Sequence, residues 1–311
     1  MARRLRFVPP EGALVEVTCR TVQSRFLLTP SAELNEIVLG VLGRAQRLYP
    51  VGICGFVFLA THYHLLVEVA DAQQLSTFMC YFNSNLAREV ARHTGWTDKV
   101  WARRYQAIPV SEETCTQMSR LSYVLAHGAK EGLLEKPEQW PGVHCVRPLL
   151  AGESVIDGTW FDRTGEHCAR LRGEKIEPRQ FAEAETVQLS PLPCWKHLTP
   201  EAYRDRIAEM VRVIEQQARE QREASGLAPL GIKAILAQKP EDGPKNPKKS
   251  PAPLFHAFAK ATRKALWEAY GWFVAAFQEA AEKLRGGDRT ARFPIGSFPP
   301  HLPFVTAAGL G

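Results

Sequence analysis

The sequence predicts an α+β unit followed by a mostly helical extension, and three observations carry that expectation. Strand-like and helix-like hydrophobic periods alternate through the first half of the 311 residues. Two apolar runs, Gly52 to Leu59 and His62 to Val69, read as strands broken at Ala60 and Thr61. Beyond Pro200, apolar residues return mainly at helical spacing.

Taken in order, Ala13 to Leu28 is rich in Val, Thr, Phe and Leu and suits a first strand, with a bend near Gln23 and Ser24. Thr29-Pro30 gives a helix start. Leu34, Ile37, Val38, Val41, Leu42, Ala45 and Leu48 then repeat every three or four residues, so the helix ends before Pro50. After the two strands, Leu75, Phe78, Met79, Phe82, Leu86 and Val90 mark a second helix that stops before Gly95. A fourth strand is expected over Val100 to Val110 and a third helix from about Glu112 to Leu134.

The 39 Lys+Arg against 33 Asp+Glu leave a net charge of +6, which fits a polyanionic partner without selecting one. Seven scattered cysteines contain no Cys-x-x-Cys pair, so a zinc ribbon or a redox motif is not indicated and a reducing compartment is the simplest reading. Arg3, Arg4 and Arg6 lead into Pro9, Pro10 and Glu11 rather than a signal core, and the apolar stretch Val51 to Ala70 is interrupted by His62, His64 and Glu68. The expectation is a soluble, cytoplasmic protein with no membrane partner.

Two clusters of residues carry chemistry. In a strand, His62 and His64 project from one face with about 7 Å between their Cα atoms, close enough to share a metal ion. Two partly buried, hydrogen-bonded histidines would give the same pattern. On the third helix Met118, Leu121, Val124, Leu125 and Ala129 form the apolar face, while Tyr123 and His127 fall on nearly the opposite side at i and i+4, with Lys130 close by. That pair reads either as solvated surface or as a phenolic nucleophile beside a third metal ligand.

Three ordered motifs give these clusters a common context. Leu59-Ala60-Thr61-His62-Tyr63-His64-Leu65-Leu66, Trp101-Ala102-Arg103-Arg104-Tyr105 and Tyr123-Val124-Leu125-Ala126-His127-Gly128-Ala129-Lys130-Glu131-Gly132-Leu133 resemble motifs of the single-tyrosine HUH transposases. The resemblance is strongest to the REP-associated tyrosine transposases and their insertion-sequence relatives, and it spans residues 13 to about 145. In that family the first motif commonly reads Met-Pro-Asn-His-Val-His-Leu-Leu, the second Trp-x-x-Arg-(Phe/Tyr), and the third Tyr-Ile-x-x-Asn-Pro-Val-(Lys/Arg)-x-Gly-Leu. The chain departs from it where Asn-Pro-Val becomes His127-Gly128-Ala129, and His127 still offers a ligating nitrogen.

The resemblance implies an antiparallel sheet with helices packed on it, of the ferredoxin/RRM-like HUH endonuclease kind. It implies Tyr123 as nucleophile and His62, His64 and His127 as ligands of one divalent ion. Histidines alone would suggest zinc or another transition metal, whereas the resemblance implies Mg²⁺ or Mn²⁺. The implied substrate is single-stranded DNA folded as a hairpin, handled by a monomer or homodimer. Arg103, Arg104 and Lys130 are then candidate phosphate contacts, and Trp101 or Tyr105 either stacks on a base or belongs to the core. Asn83 and Asn85 are weaker candidates for reading DNA edges.

The unit resembling the family is expected over 1–146, an irregular plus helical extension over 147–238 in which residues 147–190 pack as small strands or loops, a flexible basic linker over 239–253, and a C-terminal helix with a Pro-rich tail over 254–311. In the extension, Tyr203, Ile207, Met210, Val211 and Ile214 mark a helix from Pro200 to Glu223. Phe255, Phe258, Ala259, Leu266, Ala269, Phe273 and Phe277 mark a final helix whose basic start, Lys260, Arg263 and Lys264, could touch a DNA backbone. Two other classes compete: a transposase-derived DNA-binding protein without cleavage, and a His-x-His metal phosphohydrolase. Leu66 argues against the second, since it stands where a histidine-triad enzyme has another histidine.

Overall fold

The computed structural model describes residues 4–177, 179–245 and 253–300. The first strand, β1 (Ala13–Arg20), is shorter than expected because Gln23 and Ser24 take φ of 50° and 58°, which no strand accommodates. α1 (Ala32–Leu48) begins two residues after Pro30, where the Ser31 hydroxyl accepts the Leu34 N–H at 3.0 Å. β2 (Gly52–Leu59) and β3 (His62–Val69) follow the expected ranges. α2 (Ala72–Thr94) is capped by Asp71 and closed by Gly95 at φ 68°. β4 (Gln106–Val110) starts later than expected because residues 101–104 form a bridge and bends, with the Ala102 N–H donating to the Arg20 carbonyl.

The order β2-β3-β1-β4, antiparallel throughout, with a βαββαβ succession, makes a ferredoxin-like sheet. One face of β3 presents Tyr63, Leu65 and Val67 to the main core, which includes α1 and α2. The other face presents His62 and His64, flanked by Arg20 and Thr18 on β1 and by Leu59 and Val57 on β2.

α3 (Thr114–Leu125) covers this second face, and it stops nine residues short of the expected end. Gly128 at φ 89° and Gly132 at φ 68° break the helical path, so the apparent helical spacing of residues 127–134 is realised as turns. Val57, Leu59, Val124, Leu134 and Trp140 form a satellite core there, with the Trp140 indole N–H donating to the Phe58 carbonyl at 2.9 Å.

The stretch expected to be irregular contains α4 (Val146–Ala151), β5 (Val155–Phe161), α5 (Arg163–Leu171) and β6 (Ala182–Gln188). β5 and β6 pair as a second antiparallel sheet on the outside of α1. Gly40 makes the approach possible, since a Cβ there would lie 1.9 Å from the Thr159 carbonyl oxygen. These strands escape period-based reading because neither face is deeply buried along most of their length.

α6 (Pro200–Ser225) adds Ile207, Met210, Val211 and Ile214 to the same core that begins at Val8. α7 (Ile232–Leu236) and α8 (Lys260–Arg285) complete the helical C-terminal region. α8 is held by a small cluster of Phe7, Phe255 and Phe273. Residues 246–252 of the expected linker, including Lys248 and Lys249, and residues 301–311 of the Pro-rich tail lie outside the described residues. Among the described residues no helix is long and apolar enough to cross a membrane.

Candidate active site

Strand pleating and the turn after α3 bring three histidines together. His62, His64 and His127 each offer a ligand nitrogen, all within 4.8 Å of one another. The ring centroids of His64 and His127 are 4.5 Å apart, and those of His62 and His64 are 5.2 Å apart. His127 reaches the group from the turn beyond α3, not from a continuing helix as the spacing suggested. Its neighbour Gly128 needs a positive φ, and a Cβ there would meet Trp140 at 3.4 Å. The departure from Asn-Pro-Val is thus built into a turn that still delivers a nitrogen.

The rings are oriented by the groups behind them. His64 Nδ1 lies 2.9 Å from Glu16 Oε1, and His127 Nδ1 lies 3.2 Å from the Val124 carbonyl. Carboxylate and carbonyl oxygens only accept, so each Nδ1 is the donor and each Nε2 keeps the lone pair. His62 Nδ1 sits 2.8 Å from the Thr61 hydroxyl, a partner that suits either tautomer. Burial lowers all three histidines below their ordinary pKa; at His64 the Glu16 carboxylate opposes that shift. They are neutral near pH 7, as metal ligands must be.

Glu16 is the hub behind the site. Arg120 Nε donates to Glu16 Oε2 at 2.8 Å, and His256 Nε2 lies 2.9 Å from the same oxygen without hydrogen-bond alignment. Burial alone would raise the Glu16 carboxyl, but His256, His64 and Arg120 together hold it well below the usual carboxylate range. His256 arrives because the chain before α8 runs beside β4, its N–H donating to the Pro109 carbonyl at 2.9 Å.

Tyr123 lies on the open side of the histidines, 38% exposed. Its ring centroid is 4.8 Å from that of His127 and 5.5 Å from that of His64. Lys130 Nζ sits 3.1 Å from the ring centroid and the Arg120 guanidinium 4.1 Å from it. Burial raises the phenol above its ordinary pKa, with the Glu16 charge adding and Arg120 opposing, so the resting side chain is neutral. Lys130, also 3.1 Å from His127 Nε2, is brought down by burial to about 8.

The structure therefore gathers Tyr123, His62, His64, His127 and Lys130 in one chain. Arg103 and Arg104 are exposed on the bends before β4. Arg103 is near enough to Arg20 for its charge to disfavour the Arg20 cation, after burial itself. Trp101 and Tyr105 turn inward: Trp101 donates to the Asn83 carbonyl at 3.0 Å and packs edge-on against Tyr63, and Tyr105 is buried. The Asn83 side chain accepts from the Tyr63 hydroxyl, and that of Asn85 donates to the Tyr81 carbonyl.

Sequence reasoning missed Glu16, Arg20, Arg120 and His256. Arg120 was the findable one, three residues before Tyr123 and so on its helix face. Glu16 gave a weaker signal, an acid inside an apolar strand.

Fold and site together define a ferredoxin-like α+β protein with a three-histidine cluster beside a tyrosine. No family model and no curated protein matches the chain. Among solved structures, it is similar to a REP-associated tyrosine transposase bound to a REP hairpin, at 16% identity and a TM-score of 0.37, over 49% of this chain and 86% of that one. It is also similar to a candidate transposase from Deinococcus radiodurans R1, at 14% identity and a TM-score of 0.26, over 39% of this chain and 94% of that one.

Proposed function

We propose that the protein is a metal-dependent single-strand DNA endonuclease and transposase that cleaves and rejoins DNA through Tyr123. The observation that carries this reading is the convergence of three neutral imidazoles on a half-exposed tyrosine within one chain. The motif resemblance extends it to hairpin-forming single strands as substrate.

His62, His64 and His127 could hold one divalent ion; their nitrogen donors by themselves suit a transition metal, and the motif resemblance points to Mn²⁺ or Mg²⁺. Such an ion supplies a Lewis acid for a phosphate oxygen and a template for the scissile bond. The Tyr123 phenol oxygen attacks phosphorus, the bond from phosphorus to the 3′ oxygen breaks, and the phenol proton is passed on so that the leaving strand ends in a 3′-OH. Arg120 and Lys130, on the ring, stabilise the phenolate as it forms. The 5′-phosphotyrosine keeps the bond energy for rejoining. Lys130, Arg103 and Arg104 are the proposed phosphate contacts.

Cleavage of end-labelled hairpin-containing single strands by wild type and by Tyr123→Phe, with Mn²⁺ or EDTA, tests the reading. Strand cleavage by wild type with Mn²⁺ alone is expected. Equal cleavage by Tyr123→Phe would remove the tyrosine as nucleophile.

A further inference from the structure

A groove of about 520 Å³ opens between α3 and the segment that leads into α8. Arg120 lines it while also touching the Tyr123 ring, so the groove and the tyrosine share that side chain. Arg4 and Arg263 line it as well, with Phe258 and Trp267, and no acidic side chain is among its described lining residues. The larger cavity, near the opposite end of β3, is unlike it, being lined by Glu11, Glu68, Glu112 and Glu113.

Packing accounts for part of this wall: the Trp267 ring meets Phe255 and Tyr270 edge-on, with centroids 6.2 and 6.5 Å away, and Arg263 donates to the Ala257 carbonyl at 3.1 Å. Phe258 is 75% exposed and Trp267 54% exposed, although the backbone beneath them is fixed. The Phe258 N–H donates to Glu113 at 2.8 Å, the Ala259 N–H donates to it at 2.9 Å, and the Thr262 hydroxyl donates to it at 3.1 Å. Lys260, Arg263, Lys264 and Trp267 follow at i, i+3, i+4 and i+7, one face of α8. The first turn of α8 carries cations and no acid of its own, and the Glu113 carboxylate from the start of α3 caps it. Partly exposed rings beside cations are what a strand of unpaired bases requires.

We infer that this groove is a second nucleic-acid subsite, which holds single-stranded DNA next to the cleavage position by stacking a base on Trp267 or Phe258 and pairing phosphates with Arg263 and Lys260. The inference rests on the DNA-cleavage reading for its choice of ligand. Unpaired bases are specified over duplex because only they offer faces to the rings.

Fluorescence anisotropy with labelled oligo(dT), and with a duplex of matched length, tests it on the full chain in the Tyr123→Phe background. Trp267→Ala should weaken oligo(dT) binding about tenfold, Trp267→Phe should keep most of it, and duplex binding should not change. Arg263→Ala should lower the slope of log K against log salt by about 0.7. No binding of oligo(dT), or equal losses for single strand and duplex, would overturn the subsite, as would unchanged binding after Trp267→Ala and Phe258→Ala together. Both rings are exposed, so these variants should fold, and circular dichroism checks it. If Trp267 governs binding but wild type forms no covalent adduct, the cleavage reading fails and the subsite stands. If the adduct forms and Trp267 is irrelevant, the subsite fails alone.

Discussion

His62 and Tyr63 are adjacent in β3 and live in opposite environments. Tyr63 is fully buried, with Phe58, Phe82 and Trp101 around its ring and its hydroxyl satisfied by Asn83. On the other face, His62 and His64 meet His127, and His64 is held from behind by Glu16. One face of the strand makes the fold and the other makes the site. The first is settled by apolar area, which many sequences supply, and the second by a few polar atoms whose partners come from distant parts of the chain. Substitutions on the two faces should therefore fail in different ways.

The largest expected effect is on the packing face. Tyr63→Ala should destabilise the protein by about 3–5 kcal/mol, as truncation of a buried aromatic does, and urea unfolding measures it. His62→Ala on the neighbouring position should cost little stability and abolish specific Mn²⁺ binding, read by calorimetry. If both variants lost stability equally, the division between the faces would be wrong.

Next comes the group behind the site. Glu16→Gln should weaken Mn²⁺ binding by about 10–100-fold, because the carboxylate that orients His64 loses its charge. An unchanged affinity would mean that Glu16 only satisfies Arg120 and His256.

Acid should act on the same set of side chains. His62, His127 and the separately buried His144 all have folded pKa values below 6.5, so the unfolded chain takes up protons first as pH falls. Their stability contribution is intact above pH 6.5 and is lost below it, by about 1.4 kcal/mol per histidine per pH unit until the folded pKa is reached. Glu16 has the same sign but acts lower, its contribution being lost as pH falls below 4.5. Urea midpoints in EDTA between pH 5 and 8 test this; a flat profile would contradict it.

The smallest effect concerns Lys130. Its ammonium lies 3.1 Å from His127 Nε2 and competes with any cation there, so Lys130→Met should tighten Mn²⁺ binding several-fold while slowing cleavage. Weaker metal binding in that variant would show Lys130 to be a support rather than a competitor.

Much of the packing face is legible in the sequence. The limits of β2 and β3, the first two helices and the shared side of His62 and His64 follow from period, caps and breakers. The histidine face is legible in His62, His64, Tyr123 and His127 and much less in their supports. The end of α3 was missed because a three-and-four spacing continues past Leu125, while Gly128 and Gly132 at positive φ redirect the backbone. Glu16 reaches His64 across 48 residues and Arg120 across 104, contacts that strand register and helix docking create and that no local pattern encodes. His256 depends on a bridge to Val110 at the sheet edge, which leaves no periodic signal at all.

The joint action of the histidines and the tyrosine is tested most directly by mapping a covalent adduct. Wild-type protein incubated with a hairpin-containing single strand, then digested and read by mass spectrometry, should carry a 5′-phosphonucleotide on Tyr123 with Mn²⁺ and none in EDTA. The same adduct should be absent from His64→Ala. An adduct on another residue, or one on Tyr123 that survives both EDTA and His64→Ala, would contradict a single centre built from both parts.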